Sequence, residues 1–498
     1  MAEDSFNKTL ELANATSPIV LTKLQNATNE LTYFLFDNQL IHGTIGQTLL
    51  SNVILMLISV ISITIGSYGS IIKPNNAKFP NKEHPLFDPS DKDVNIEEDS
   101  NDQIPKEIFY TLPIFAGFML YGLYFCSKNY DIETISNYLN KLFIIQIFSS
   151  ISTLLIYGYD SISRNLCYLY KIDFKKINKR FTLTISEDVD IHASGIEKEM
   201  LLPDITEREK IIKEEKLLEI RKDINKKNQI FNFYFKNSSI YGYSFGFIFT
   251  ILYSYYKGHE NWILNNLIGI SIVSSHLMQL KVPNFKIGII LLTCFFFYDI
   301  YFVFGTDIMV TVATKINTPS KLLIPNKVSK IENEIRMTLL GLGDLALPGC
   351  FIALCLRFDL FIYHLKNKNT EFHLLNKFPK NYFATSIISY IIGLIITFRV
   401  HHIFKVGQPA LLYLCPSLLI SVITVAICRG ELSYLWNYDE SIESTDEKDK
   451  EFDIICSKET LFLSGEIAEE DIDDPEDEDY EEEGDEYDEE ELEEEKDM

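Results

Sequence analysis

The chain has 498 residues, 47% of them hydrophobic and 13% aromatic, with a formal net charge of −26. Residues 466–497 hold 23 of the 71 acidic residues against one base, so most of that charge belongs to a C-terminal tail and the body is nearly neutral. No nucleic-acid partner is expected, and the eight cysteines (126, 167, 294, 350, 355, 415, 428 and 456) have neither disulfide-framework spacing nor a CxxC metal signature.

A mean hydropathy of +0.04 averages long apolar runs with charged connections. A crossing helix needs about 20 apolar residues. Nine such runs are predicted, at about 47–68, 108–126, 142–159, 238–256, 262–280, 287–305, 337–356, 382–399 and 409–428. The fold class is therefore an all-α polytopic membrane protein with nine transmembrane helices. Pro113 interrupts the second run, and the third is short. The predicted organisation is an N-terminal segment 1–46, a first bundle 47–256 with connecting loops 69–107 and 160–230, a second bundle 257–430, and an acidic disordered tail 431–498. Residues 1–45 are polar and lack a basic n-region before an apolar stretch, so the first span is expected to be its own insertion signal.

Charge orients the spans. Region 160–230 carries 15 Lys and Arg, and Arg357, Lys366, Lys368, Lys377 and Lys380 follow the seventh span on the same side. The positive-inside rule makes that side cytosolic, although the mildly basic 306–336 connection pulls the other way. Sequons at Asn7, Asn14 and Asn26 suit a lumenal, glycosylated N-terminus. Asn237-Ser-Ser239 sits at the cytosolic entry of the fourth span and is expected to stay bare. The stretch 74–106 reads as a flexible loop. Pro203-Asp204-Ile-Thr-Glu207 opens a charged helix to about Lys222.

Two aspartates interrupt apolar runs, Asp299 after Tyr298 and Asp344 within Gly341-Leu342-Gly343-Asp344. A carboxylate in a membrane span costs about 2.5–3.5 kcal/mol on insertion scales, which marks it as functional. Asp299 lies eight residues before Asp307, and Asp344 eight after Arg336. If both stretches are helical, at about 1.5 Å per residue the two sit roughly 12 Å inside the same boundary and can face each other. Carboxylates about 4 Å apart repel by about 4 kcal/mol when both are ionised, so one is expected protonated and one charged. That supplies the base and acid for peptide hydrolysis. Gly341 and Gly343 are expected to permit close helix packing and to loosen the helix before Asp344. Downstream, Gln408-Pro409-Ala410-Leu411 opens the ninth span, where Pro409 is expected to leave extended backbone for an extended substrate. His276, His401 and His402 do not have metal-binding spacing, and no cofactor is expected.

Tyr298-Asp299, Gly341-Leu342-Gly343-Asp344 and Gln408-Pro409-Ala410-Leu411 resemble the YD, GxGD and PAL signatures of intramembrane aspartyl proteases, the presenilin and signal peptide peptidase families. Runs 296–306, 341–349, 356–359 and 408–414 resemble signal peptide peptidase in particular. The close likeness covers about 262–428. It implies nine spans, a lumenal N-terminus, a cytosolic C-terminus and an endoplasmic reticulum membrane location. It also implies catalytic Asp299 and Asp344, with substrate contacts at Tyr298, Gly341, Leu342, Gly343, Gln408, Pro409, Ala410 and Leu411. The substrates implied are transmembrane helices of signal peptides and type II membrane proteins. Degradation machinery and a homo-oligomer are further candidate partners, beside membrane lipid. The chain ends Glu-Glu-Lys-Asp-Met instead of the Lys-Lys retrieval signal frequent in that family.

Two other functions are open on sequence alone. A proton-coupled transporter would also bury carboxylates, but it more often shows matched broken helices, which are not evident here. A non-cleaving adaptor for client helices would use the same groove and could tolerate losing one aspartate.

Overall fold

The computed structural model describes residues 27–34, 44–78, 106–186, 229–255, 261–306, 318–329, 334–368, 370–404 and 408–440. By internal contacts the chain divides after Ser441, and all described residues belong to the first unit. The sequons at Asn7, Asn14 and Asn26, most of the 74–106 loop, the helix expected at 204–222 and residues 441–498 of the acidic tail lie outside the described residues; residues 431–440, expected as the start of a disordered tail, are instead ordered, with a short helix at Leu432–Asn437.

Among the described residues nine helices reach 18 residues. They are α1 (Thr44–Gly69), α2 (Lys106–Asn129), α3 (Ile132–Tyr170), α4 (Asn237–Tyr255), α5 (Trp262–Gln279), α6 (Phe285–Phe304), α7 (Gly343–Lys366), α8 (Asn381–Phe404) and α9 (Leu411–Cys428). Seven are long and apolar enough to cross a membrane. The other two, α4 and α5, have the length but carry more polar residues. In α5 these are turned inward: Asn265, Asn266, Ser271, Ser274 and Ser275 are all buried. Ser274 Oγ donates to the Ser62 carbonyl of α1 (3.0 Å). Polar side chains are tolerated among membrane helices when they face protein and find partners.

Several predicted boundaries are corrected. Helix α2 runs through Pro113 without a break. Helix α3 has 39 residues, about 58 Å at helical rise, well over the roughly 30 Å hydrocarbon core. Its polar end leaves the apolar region and is tied down there, with Arg164 over the Phe174 ring (4.6 Å) and Asp160 accepting from Asn178 (3.1 Å). The expected all-α class is also amended, because two antiparallel two-stranded sheets accompany the helices. Strand β1 (Arg180–Ser186) pairs with β2 (Gln229–Lys236), and β3 (Lys321–Ser329) with β4 (Glu334–Gly341). The seventh span, expected at 337–356, consequently starts at Gly343. Residues 337–341 are strand.

Helix α1 packs against α5, α7 and β3, while α6 packs against α2, α7 and α9. Glycine matters most where backbones approach. A Cβ at Gly349 of α7 would stand 3.0 Å from Leu277 of α5, and one at Gly393 of α8 would stand 3.2 Å from the Leu414 Cα of α9.

Connections meet at two ends of the bundle. At one, residues 27–34 contact the start of α5, with Asn261 Nδ2 donating to Thr28 Oγ1 (2.7 Å) and Trp262 Nε1 to Thr32 Oγ1 (3.1 Å). Strand β3 docks at the same end through Asn265 Nδ2 to the Lys321 carbonyl (2.8 Å), and Ser51 of α1 donates to the Pro325 carbonyl. At the other end Phe372 N donates to the Lys78 carbonyl (3.1 Å) and Glu440 N to the Pro283 carbonyl (3.0 Å).

This second end is held by buried charges. Arg357, counted from sequence among the loop cations, is instead inside α7 and 2% exposed. Its guanidinium binds Glu440 (2.7 Å), Ser70 Oγ (3.1 Å) and the Val282 carbonyl (2.9 Å). Asp359, one turn-half further on, caps α8 by accepting from the Tyr382 (3.1 Å) and Phe383 (2.8 Å) amides, satisfying first-turn donors that the helix cannot pair itself. Glu431, after α9, gathers Lys366 (2.9 Å), the Tyr382 hydroxyl (2.9 Å) and Arg429 (3.0 Å). Burial raises the pKa of Glu431, but the hydrogen bonds from Arg429, Lys366 and Tyr382 outweigh it and hold the carboxyl below its ordinary range. A depressed carboxyl stabilises the fold above the unfolded value, near 4.3, and that contribution disappears as pH falls through the folded value. The gap in melting temperature between wild type and Glu431→Gln should therefore narrow as pH drops below about 4. A gap unchanged by pH would show that the carboxylate charge is not what Glu431 contributes.

Candidate active site

Asp299 and Asp344 come from α6 and α7 to one place. Asp299 is 2% exposed and lies five residues before the end of α6, whereas Asp344 is the second residue of α7 and half-buried. Their carboxylates lie within electrostatic reach of each other. The depth count made from sequence is corrected in its route: between Arg336 and Gly341 the chain is a strand, climbing about 3.3 Å per residue instead of 1.5.

Two helix starts converge on the pair. Asp344 occupies the first turn of α7, where the partial positive charge of the unpaired amides favours a carboxylate. Asp299 Oδ2 accepts from the Leu411 amide (3.2 Å), the first N–H of α9 and one of those the helix leaves unpaired. Pro409, Ala410 and Leu411 are themselves buried, and the Ala410 carbonyl accepts from the Tyr413 and Leu414 amides (both 3.1 Å). The backbone expected to lie exposed at Pro409 is thus buried, and the helix start that follows it holds Asp299. Gln408 is half-buried and accepts from the Tyr413 hydroxyl (3.4 Å).

The expected packing role of the two glycines is also corrected. A Cβ at Gly343 would meet nothing within 4 Å, so this residue is in open space. At Gly341 a Cβ would stand 3.3 Å from Asp344 Oδ2, so here the missing side chain lets backbone approach the carboxylate. Leu342 is buried, and its amide donates to the Ser320 carbonyl (3.1 Å). Tyr298 turns toward α2: its ring lies tilted against that of Phe302 (centroids 4.5 Å apart), and its hydroxyl lies 3.5 Å from the Ala116 carbonyl.

The strand edge nearest the pair belongs to β4. On β3, the Lys321 carbonyl and both backbone groups of Leu323 point away from β4, to Asn265 and Asn266 (2.7–2.8 Å). Their partners in register are Gly341 and Leu339. In an antiparallel ladder, residues opposite one another share the same sense. The backbone groups of Leu339 and Gly341 therefore also face away from β3, and Gly341 lies beside the Asp344 carboxylate. Leu339 is exposed. An extended peptide laid on this edge would pass beside Asp344.

Sequence reading missed Tyr390 of α8 and Cys415 of α9. Both are buried, Tyr390 within electrostatic reach of Asp344 and Cys415 within reach of both aspartates. Neither belongs to a motif, and an apolar span with one Tyr or Cys gives no local signal of what it faces.

Residues 96–442 match the family described as signal peptide peptidase. Among curated proteins, the chain is 34% identical over 458 residues to a probable intramembrane protease of Saccharomyces cerevisiae, covering 82% of this chain and 77% of that one. It is 42% identical over 195 residues to intramembrane protease 2 of Caenorhabditis elegans, 38% of this chain and 41% of that one. It is 40% identical over 193 residues to signal peptide peptidase of Homo sapiens, 39% of this chain and 48% of that one. Against the last two, the aligned part is under half of either protein.

Proposed function

Because this chain belongs to the signal peptide peptidase family, a family with members named as intramembrane proteases, we propose that it is an aspartic endopeptidase working by the pair Asp299 and Asp344. The observation that carries this reading is that carboxylates from two separate helices lie within electrostatic reach of each other, one of them bound by the Leu411 amide. The charged carboxylate takes a proton from water, the water oxygen attacks the scissile carbonyl, and the protonated carboxyl delivers its proton as the carbon–nitrogen bond breaks. Pro409, Ala410 and Leu411 set the start of α9 so that Asp299 is held in place. Gln408 and Tyr298 brace the two sides.

The substrates we propose are transmembrane helices of signal peptides and type II membrane proteins, cut in the endoplasmic reticulum membrane. The arrangement proposed with it is nine crossings with a lumenal N-terminus, and the alternation of sides has support in the contacts between connections. The contacts of residues 27–34, β3, Lys78 and Pro283 each join connections that alternate crossing of α1 to α9 puts on one side.

A substrate helix hides its carbonyls in its own hydrogen bonds, and lipid offers no others. Attack therefore needs local unwinding, and the edge of β4 at Leu339 and Gly341 supplies backbone partners for the opened segment. Substrate spans carrying Gly or Asn should be cut faster than poly-Leu spans, by about two- to fivefold per residue for roughly 0.5–1 kcal/mol of lost helix propensity. The test is the purified full chain reconstituted in liposomes with a graded type II substrate series, with Asp299→Ala as the blank. Poly-Leu spans cut as fast as Gly-containing ones would remove the unwinding step. Undiminished cleavage by Asp299→Ala would remove the aspartic mechanism. Substrate captured and never cut by the wild type would favour the adaptor.

A further inference from the structure

A groove of about 560 Å³ lies between α3 and α4, inside the size range of small-molecule sites, roughly 300–1,000 Å³. Its walls include Leu154, Tyr159 and Ile162 of α3 and Tyr241 and Phe245 of α4. Gly158 keeps it open, since a Cβ there would meet nothing within 4 Å. The two helices are firmly docked beside it, where a Cβ at Gly246 would stand 3.3 Å from the Ser152 Cα. The gap is therefore a shaped surface and not a loose contact. Ile162 and Phe245 are more than 60% exposed. Helix α3 is long and apolar enough to cross a membrane, and residues 154–159 are the last turns of its apolar run, so the open side of the groove faces lipid.

One end of the groove meets a basic segment. Asp160, next to Tyr159, accepts from Asn178 Nδ2 (3.1 Å). Asn237, one turn before Tyr241, donates its amide to the Lys179 carbonyl (3.1 Å). These contacts hold residues 178–179 at the level where α3 and α4 leave the apolar region. Residues 171–180 carry five Lys or Arg against one Asp, and Lys171, Lys176 and Lys179 are exposed. The nearby acids are engaged, Asp173 with Lys176 (2.9 Å) and Asp160 with Asn178. Between the slot and the cations lie Tyr159 and Tyr241, their rings 5.7 Å apart, at the depth where tyrosine collects in membrane proteins. We propose that this is a binding site for an anionic phospholipid, one acyl chain in the groove and the headgroup at Lys176 and Lys179. Basic positions at the mouth of a cleft between spanning helices recognise headgroup charge. A zwitterionic lipid would fill the same slot and draw nothing from the cations. The site is independent of the aspartate pair.

The test is thermal unfolding of the full chain in detergent, titrated with phosphatidylserine, phosphatidylcholine or inorganic phosphate. It compares wild type, Lys176→Gln with Lys179→Gln, and Gly158→Leu. A ligand that binds the folded state raises the melting temperature in proportion to its occupancy. Phosphatidylserine should do so saturably in the wild type, and inorganic phosphate should have no effect. A lysine near the headgroup strengthens binding about fivefold, so phosphatidylserine should act at concentrations about 5- to 25-fold below phosphatidylcholine. The double lysine variant should lose that preference and keep the weaker response to both lipids. In Gly158→Leu the new side chain enters the open slot. Its lipid-free melting temperature should match or exceed that of wild type, because glycine is a poor helix former, while its response to both lipids should disappear. Equal wild-type responses to the two lipids would mean filling by any lipid and would overturn the proposal. So would a Gly158→Leu protein that titrates like wild type, or a lysine variant that still prefers phosphatidylserine. Stabilisation by inorganic phosphate alone would place binding outside the groove, and stabilisation that follows protein concentration instead of lipid would make the groove a contact between copies. Should Gly158→Leu fail to fold, the lysine variant decides by itself.

Discussion

Replacing Asp344 by alanine is expected to lower cleavage of a reconstituted transmembrane substrate by at least about 10²–10⁴-fold, the usual worth of a positioned acid or base, and Asp299→Ala by a similar factor. The double variant should be little worse than either single one, since residues that act as a unit lose their effect together. The two losses differ in their structural side effects. Asp299→Ala strips the Leu411 amide of its acceptor, so α9 should start less firmly. Asp344→Ala removes a half-buried group at the first turn of α7. Melting curves on the same preparations separate chemistry from folding. Substantial turnover by either single variant, with the fold intact, would mean that the carboxylates do not work as a pair. A double variant worse by the product of the two factors would mean that they act independently.

The largest effect on stability is expected at Arg357. Its guanidinium is buried in α7 and joins the Glu440 carboxylate, Ser70 of the α1 exit and the Val282 carbonyl between α5 and α6. Arg357→Ala leaves Glu440 uncompensated and should cost about 3–5 kcal/mol, the range for breaking a buried ion pair by removing one partner. Removing both charges with packing residues, as in Arg357→Met with Glu440→Leu, should recover most of that loss, because the desolvation penalty goes with the pair. Thermal unfolding in one detergent, or hydrogen exchange of residues 431–440, measures both. A single variant that melts within a degree or two of wild type would show that solvent reaches this site. A double variant as unstable as the single would place the contribution in Arg357's contacts to Ser70 and Val282. Neither residue touches the aspartates, so cleavage per folded molecule should be retained.

What the sequence by itself determined is what lipid imposes locally. A span must be apolar over about 20 residues whatever its neighbours are, so most spans were legible to within a few residues, and a lone acid in such a run stands out because nothing in lipid excuses it. The same reasoning fails wherever a neighbour in space replaces lipid. Residues 337–341 are apolar enough to read as helix, yet they form β4, because β3 lies beside them and is itself anchored by Asn265 and Asn266. Arg357 reads as a loop cation, and only Glu440, 83 residues away in the chain, makes its burial in α7 tolerable. Pro409-Ala410-Leu411 reads as exposed backbone until α6 brings Asp299 to the Leu411 amide. In each case the deciding term is a hydrogen bond or ion pair between distant segments in a low-dielectric interior, where such pairings are strong and their absence costly. Local composition carries no record of which segments will meet.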